Sequence, residues 1–311
     1  MPPMEQHYRT LSDYCLETYH EKLYKIAIQA GMTCPNRDGT KDTRGCIFCS
    51  EGGSGDFAVS GLLPIQDQIA KGRRLLSGKH TGSRFIAYYQ AFTNTYAPAD
   101  RLLTLYREAL SQPDIAGISI ATRPDCISPD VLKVLATCQR EYPDKFLWIE
   151  LGLQTCHEKS IRYIRRCYPN SVFEEAMKQL HDLSVPVIVH VILGLPEETD
   201  EDMYETICYV NRFHPFGIKL QLLHVLEHTD LAKDYRAGRF EVLTMEEYFR
   251  IVSHCLELLD PKTVVHRITG DGPKKLLLAP LWSADKKGVL NALRRYLDEH
   301  HIIQGSCYHE Q

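Results

Sequence analysis

Residues 185–210 read VPVIVHVILGLPEETDEDMYETICYV. Val185 to Gly194 form a short run rich in β-branched side chains, which suits a buried strand. Thr199, with Asp202 three residues on, is a helix-capping signature, because each side chain can accept from an N–H that a first helical turn leaves bare. Met203, Ile207 and Val210 then follow at helical spacing. The stretch is a strand followed by a helix.

The same alternation runs along the chain. The other apolar runs are LYKIAIQA (23–30), RFIAYYQ (84–90), AGISIAT (116–122), FLWIELGLQ (146–154), IKLQLLHVL (218–226) and TVVHRIT (263–269). Between them lie helix-length segments. Pro98 to Ser111 places Leu102, Leu103, Tyr106 and Leu110 on one face, and Ser171 to Leu183 does the same with Phe173, Met177 and Leu180. Strand–helix–strand repeats imply right-handed crossovers and a parallel α/β sheet. Six or seven such units make a complete or partial (β/α) barrel, with its site at the C-terminal strand ends. A doubly wound open sheet has the same periodicity, which does not separate the two.

The 311 residues carry a formal net charge of −4, which excludes a globally basic nucleic-acid binder but not a local basic face. No apolar run reaches the roughly 18 residues of a membrane span. The polar N-terminus lacks a signal-peptide core, so a cytoplasmic protein without membrane contact is expected. Eleven cysteines, an odd number, argue against a disulfide framework in that compartment.

Three cysteines stand together in TCPNRDGTKDTRGCIFCS (33–50): Cys34, Cys46 and Cys49. Cys46 and Cys49 can reach one metal centre from a single turn, and the loop from Cys34 is long enough to offer a third thiolate. Gly39 and Gly45 permit tight turns in it. Three thiolates suit an iron–sulfur cubane with one iron left open for chemistry. A structural zinc site would need a fourth ligand, for which His7 and His20 are the candidates without convincing spacing. Cys138, Cys208 and Cys255 fall on helix faces and read as core thiols. The adjoining SEGGSGDF (50–57) lacks the Lys and Ser/Thr of a phosphate-binding loop and reads as a loop beside the cluster.

Polar residues interrupt the apolar runs near their C-terminal ends: Gln90, Thr122, Arg123, Asp125, Glu150, Gln154, His190, Gln221, His224, His266 and Arg267. In a buried strand such residues point into a pocket, cap a helix or satisfy a core hydrogen bond. His266, Arg267 and Asp271 are candidate substrate contacts. Lys274, Lys275, Lys286, Lys287, Arg294 and Arg295, with Trp282 among them, form either a solvated helix face or a surface for nucleic-acid phosphates and bases.

CPNRDGT, GCIFCS, GSGDF, AFTNTYAP, ATRPDCI, ELGLQT, HVILGLPEET and HRITGDGP together resemble the radical S-adenosylmethionine superfamily. Within it they resemble the YhcC/YtqA-type group, related to the radical domain of the elongator catalytic subunit. Phe48, an aromatic residue before the last cysteine, fits the superfamily pattern. IRRCYPN (164–170) departs from the Asn-Arg-Gly-His-like run of relatives, leaving the roles of Cys167 and Tyr168 open.

The resemblance implies a partial (β/α)6-type TIM barrel over residues 23–260, with extensions at 1–22 and 261–311. It implies a 4Fe–4S cluster held by Cys34, Cys46 and Cys49, with S-adenosylmethionine on the open iron. By position, Gln90 would meet the methionine amino group and Arg166 its carboxylate. Thr122, Arg123, Glu150 and Gln154 would also line the cofactor, and His190 with 193–196 would lie near the adenine. The implied partners are an electron donor, such as flavodoxin or ferredoxin, and transfer RNA. The implied reaction is at a wobble uridine, from a carboxymethylaminomethyl to an aminomethyl side chain. Without a second cysteine cluster, methylthiotransferase chemistry is not expected. A radical enzyme acting on a small metabolite and a non-catalytic iron–sulfur or zinc module are the competing readings.

Overall fold

The computed structural model describes residues 7–53, 63–78, 82–270 and 272–310. The strands are β1 (Tyr24–Ile28), β2 (Phe85–Tyr89), β3 (Ile115–Thr122), β4 (Phe146–Gln154), β5 (Val187–Leu193), β6 (Gly217–Leu222), β7 (Val225–Leu226), β8 (Val264–Arg267) and β9 (Leu277–Ala279). Seven of them form one sheet in the order β1-β2-β3-β4-β5-β6-β8, and every pairing in it is parallel. The run at 218–226 divides into β6 and β7, and β7 pairs antiparallel with β9.

The helices are α1 (Leu11–Tyr19), α2 (Ile65–Leu76), α3 (Ala99–Leu110), α4 (Pro129–Glu141), α5 (Glu158–Tyr163), α6 (Asn170–Asp182), α7 (Asp200–Asn211), α8 (Asp230–Arg236), α9 (Met245–Leu258) and α10 (Lys286–Glu299). The capping box at Thr199 and Asp202 is formed and opens α7, which buries Met203, Ile207 and Val210. Helix α6 buries Phe173, Met177 and Leu180. Helix α3 buries Leu102, Tyr106 and Leu110, while Leu103 packs at the edge of that core. Among the described residues, no helix is long and apolar enough to cross a membrane.

The period of two along each strand sorts its residues into an outer and an inner face. Ile26 and Ile28, Ala87 and Tyr89, Ile118 and Ile120, Ile149 and Leu151, Val189 and Val191, and Ile218 and Leu220 join the main core beneath the helices. The alternate residues turn inward and stack in layers, as they do in a closed barrel. Ile86, Trp148 and Ile188 form an apolar floor with Tyr14 and Tyr19 of α1. Two residues further along the same strands stand Tyr88, Glu150 and His190, and two further stand Gln90, Gly152 and Ile192. These residues line a central cavity.

The sheet must curl for these residues to meet. In a flat sheet β1 and β4 would lie roughly 14 Å apart, three spacings of about 4.8 Å. Yet the Nζ of Lys25 on β1 sits 2.6 Å from Oε1 of Glu150 on β4. Among the described residues no pairing joins β1 to β8, so the barrel is partial. This geometry excludes the doubly wound alternative.

Trp148 closes the base, stacked on Phe146 at 4.0 Å and tilted against Phe216 at 5.1 Å. Trp148→Ala should lower unfolding free energy by about 3–5 kcal/mol, read as a shift in the urea midpoint followed by circular dichroism.

Candidate active site

A cavity of about 470 Å³ fills the barrel above its floor. Its rim is the loop that leaves β1. Cys34, Cys46 and Cys49 all line it, with Arg37, Phe48, Gln90, Phe92, Arg123, Gln154 and Arg267 among their neighbours. All eleven cysteines are free thiols.

Local interactions hold the cysteine loop in place. The N–H groups of Arg37 and Asp38 donate to Cys34 O, at 2.8 and 3.2 Å. The Arg37 guanidinium reaches across to Cys49 O and Ser50 O, at 3.2 and 2.5 Å. Gly45, at φ +76°, packs so closely on Arg37 that an added Cβ would lie 3.0 Å from Nε. Buried Asn36 donates to Arg165 O at 2.7 Å and contacts Cys46 Sγ at 3.7 Å. Ile47 donates to Ile164 O at 3.2 Å and accepts from the Leu231 N–H at 3.1 Å. A small apolar cluster around Ile47, Ile164, Ile192 and Leu231 thus seats the loop on the barrel mouth.

Cys46 and Cys49 share a hydrogen bond. It raises Cys46 well above the ordinary thiol value, with burial adding to the effect. The same bond lowers Cys49, helped by the Arg37 cation against its burial. Three thiols of one loop that face one cavity match the ligand chemistry of an iron–sulfur cluster. Neither histidine considered as a fourth zinc ligand joins them. His7 directs its ring nitrogens to Ile302 O and Asp298, each at 2.8 Å, and His20 caps the C-terminus of α1.

Beneath the rim lies a buried polar layer. Glu150 is fully buried. Its Oε1 accepts from Lys25 and Ser119, each at 2.6 Å. Its Oε2 accepts from His190 Nε2 at 2.7 Å and from Lys219. Burial alone would raise the Glu150 carboxyl, but Lys219 and Lys25 outweigh it and hold Glu150 well below the usual carboxylate range. Burial and then the nearby Lys219 push His190 down to about 4, so its imidazole is neutral at pH 7. Glu150 therefore serves as an internal counterion.

Thr122, Arg123, Glu150 and Arg166, named from the sequence as cofactor contacts, all line the cavity and are also bound to other parts of the chain. The Arg166 guanidinium is buried and bound by the chain around it. Nη1 donates to Leu153 O and Thr155 O, at 2.8 and 2.9 Å. Nε donates to Tyr168 O at 3.1 Å and Nη2 to Asn170 Oδ1 at 2.8 Å. Four of its five N–H donors are thus used in bracing the loops around the end of β4. Arg123 is clamped by Asp125, both contacts at 2.9 Å, and donates to Arg166 O at 3.0 Å. Thr122 meets Thr95, their hydroxyl oxygens 2.5 Å apart, tying the loop after β3 to the one after β2. Gln90, Gln154 (φ +66°) and His190 line the cavity, as do Gln221, His224 and Arg267.

His266 lies elsewhere. It is set edge-on to Trp148 and Phe216, each at 5.5 Å. Both ring nitrogens are buried without a hydrogen-bond partner among the described residues. It packs in the barrel base below the cavity, because the register between β6 and β8 shifts there: Ile218 pairs with Val265 and Lys219 with Arg267, which leaves His266 at floor level and lifts Arg267 to the layer above. Asp271 and residues 54–57 of the glycine-rich 50–57 segment lie outside the described residues. The departure at 164–170 also finds its role. Tyr168 is held between the Arg123 and Arg166 guanidinium groups, at 5.0 and 4.4 Å from its ring centre, and its hydroxyl donates to Gly152 O. Cys167 is exposed.

Sequence reasoning overlooked Lys25, Tyr88, Ser119 and Lys219. The available signal was a lysine inside each of two apolar runs, LYKIAIQA and IKLQLLHVL. A buried strand lysine requires a buried carboxylate, and Glu150 was the one candidate inside another such run.

A model described as Radical SAM superfamily matches residues 43–210, and one described as Radical_SAM C-terminal domain matches 215–299. The chain belongs to the radical S-adenosylmethionine superfamily. The uncharacterized protein YtqA of Bacillus subtilis is 40% identical, over 98% of this chain and 94% of its own. Protein YhcC of Escherichia coli is 34% identical, over 93% of this chain and 91% of its own. The solved structure of the archaeal Methanocaldococcus infernus Elp3 shares the fold, with a TM-score of 0.69 at 15% identity over 91% of this chain and 64% of that one. Radical SAM enzymes work with a 4Fe–4S cluster, S-adenosylmethionine and a reductant.

Two titrations set the acid stability of the site. Glu150 has a lowered folded pKa, so its stabilisation is complete above the unfolded value of 4.5 and is lost as pH falls through the lower folded one. His190, also lowered, stays neutral in the fold while the unfolded chain takes up a proton, so stability falls as pH drops from 6.5 toward about 4. Glu150→Gln should cost about 3–5 kcal/mol at pH 7, because it leaves buried ammonium groups uncompensated. His190→Gln should flatten the profile between those pH values by up to roughly 3 kcal/mol. Urea midpoints at pH 7, 5.5 and 4.5 measure both.

Proposed function

We propose that Cys34, Cys46 and Cys49 hold the 4Fe–4S cluster and that S-adenosylmethionine occupies the upper cavity beside Gln90, Gln154 and His190. The observation that carries this reading is three thiols of one loop at the mouth of a barrel of this superfamily. When bound, the cluster and S-adenosylmethionine supply a 5′-deoxyadenosyl radical that abstracts hydrogen from the substrate. The chain's own residues position and enclose. Arg37 and Asn36 fix the thiols, and Arg123, Arg166 and Tyr168 stiffen the loops after β3 and β4. The barrel walls exclude water. A flavodoxin or ferredoxin is the electron donor we favour.

For the substrate we favour the side chain of a wobble uridine in transfer RNA: its carboxymethylaminomethyl group, S-adenosylmethionine and water would give an aminomethyl group, glyoxylate, methionine and 5′-deoxyadenosine, the substrate carbon being oxidised by two electrons as S-adenosylmethionine is reduced by two. Likeness to YtqA, YhcC and the archaeal Elp3 supports an elongator-like role. So do Lys274, Lys275, Lys286, Lys287, Arg294 and Arg295, which are all exposed along 274–295. Trp282 is not available to stack a base, since its indole packs toward Tyr248 at 5.8 Å and donates to Leu243 O at 3.0 Å. The patch would therefore act through phosphate attraction, which salt screens over a Debye length of about 8 Å.

Anaerobic reconstitution should give about four irons per chain, and Cys46→Ala should abolish the bound cluster as read by its visible absorption. A Cys34/Cys46/Cys49 triple alanine variant that kept the cluster would overturn the ligand assignment. A strain lacking the protein should accumulate carboxymethylaminomethyluridine in nucleoside mass spectra. Unchanged wobble nucleosides would move the substrate to a small metabolite.

A further inference from the structure

We propose that the Lys25 ammonium in the barrel receives the carboxylate of the substrate, so that an anionic side chain enters below the cysteine loop. The proposal rests on the uridine reading for the identity of that carboxylate, but the anchor itself is read from the polar layer. Two ammonium groups, from β1 and β6, approach one carboxylate. Glu150 also accepts from Ser119 and His190, so its acceptor sites are filled. His190 is neutral and adds no negative charge. The layer therefore holds more positive than negative charge in a low-dielectric cavity, where such an imbalance is costly.

The two lysines are not equivalent. Lys219 is sealed, with 3% of its side chain exposed, and is held by Glu150 and by the Tyr88 hydroxyl at 3.1 Å. Lys25 keeps 20% of its side chain exposed and lines the cavity. Its ammonium has three N–H groups. One meets Glu150, and the remaining two have no protein acceptor among the described residues. Its other neighbour is the face of Tyr88, at 4.6 Å, which attracts the cation without occupying a donor. A carboxylate arriving there would fill those donors and neutralise the excess charge.

Two carboxylates could arrive, one from the substrate and one from the methionine part of the cofactor. Depth favours the substrate. Lys25 stands two residues below Ala27 on the inner face of β1, whereas the cysteines lie beyond the end of that strand at Ile28. A carboxymethylaminomethyl group ends in a carboxylate that the aminomethyl product lacks, so Lys25 would hold the two carbons that leave as glyoxylate when the N–C bond is broken.

The test is calorimetry on the cluster-loaded protein under anaerobic conditions, with three probes: 5-carboxymethylaminomethyluridine, 5-aminomethyluridine and N-methylglycine. The first nucleoside should bind roughly tenfold or more tightly than the second, as expected for one charge-assisted contact. Lys25→Gln should erase that difference while leaving affinity for S-adenosylmethionine unchanged, and Lys25→Arg should retain it. Thermal melts check that both variants are folded, since Glu150 keeps Lys219, Ser119 and His190 in either. Lys25-dependent binding of N-methylglycine with no binding of either nucleoside would support the anchor and remove the uridine. Equal affinity of the two nucleosides for the unaltered protein would overturn the proposal. So would discrimination that survives Lys25→Gln, or loss of S-adenosylmethionine affinity in that variant.

Discussion

Glu150 is the constraint on which the rest of the structure depends. One fully buried carboxylate on β4 binds side chains from β1, β3, β5 and β6. Those strands cannot all present donors to one point unless the sheet curls around it. A buried ion pair is weak as a source of net stability, since desolvation offsets much of its attraction. Its worth here is geometric. Any shift of register by one residue would turn Glu150 toward the helices and leave Lys25 and Lys219 without a counterion. Curvature, register and the polarity of the cavity therefore share one cause.

A second constraint acts at the mouth. The residues between Cys34 and Cys46 form a loop that must present its thiols to the cavity, and few of its own side chains are apolar. The barrel supplies what the loop lacks. Ile164 and Leu231 make main-chain contacts with Ile47, and Asn36 is bound to Arg165 O. The segment after β4 is in turn stiffened by Arg166 and by Tyr168 between two guanidinium groups. The thiols thus depend on residues more than a hundred positions away. Residues 164–170 serve the cysteine loop as a support, in which Arg166 is buried and bound to the chain.

Much was legible without coordinates, for identifiable reasons. Strand and helix periods are local. The apolar runs matched strands, the Thr199–Asp202 cap formed, and Phe173, Met177 and Leu180 were buried as their spacing required. That Cys34, Cys46 and Cys49 face one cavity was legible because the three stand within a single loop. The polar interruptions at Gln90, Glu150, Gln154 and His190 proved to line the cavity because strand alternation placed them on the inner face.

The sequence alone therefore determined the parallel α/β organisation and the three-thiol motif, both of which follow from residues close together in the chain. Only tertiary structure decided between a barrel and an open sheet, because that choice depends on whether distant strands meet across a centre. Tertiary structure alone also showed which carbonyls the Arg166 guanidinium reaches, those of Leu153, Thr155 and Tyr168. It placed His266 in the base beside Trp148 and Arg267 in the cavity, although the two are neighbours in sequence. A register shift between β6 and β8 sets the two at different depths on the inner face, and such a shift exists only once the strands are paired.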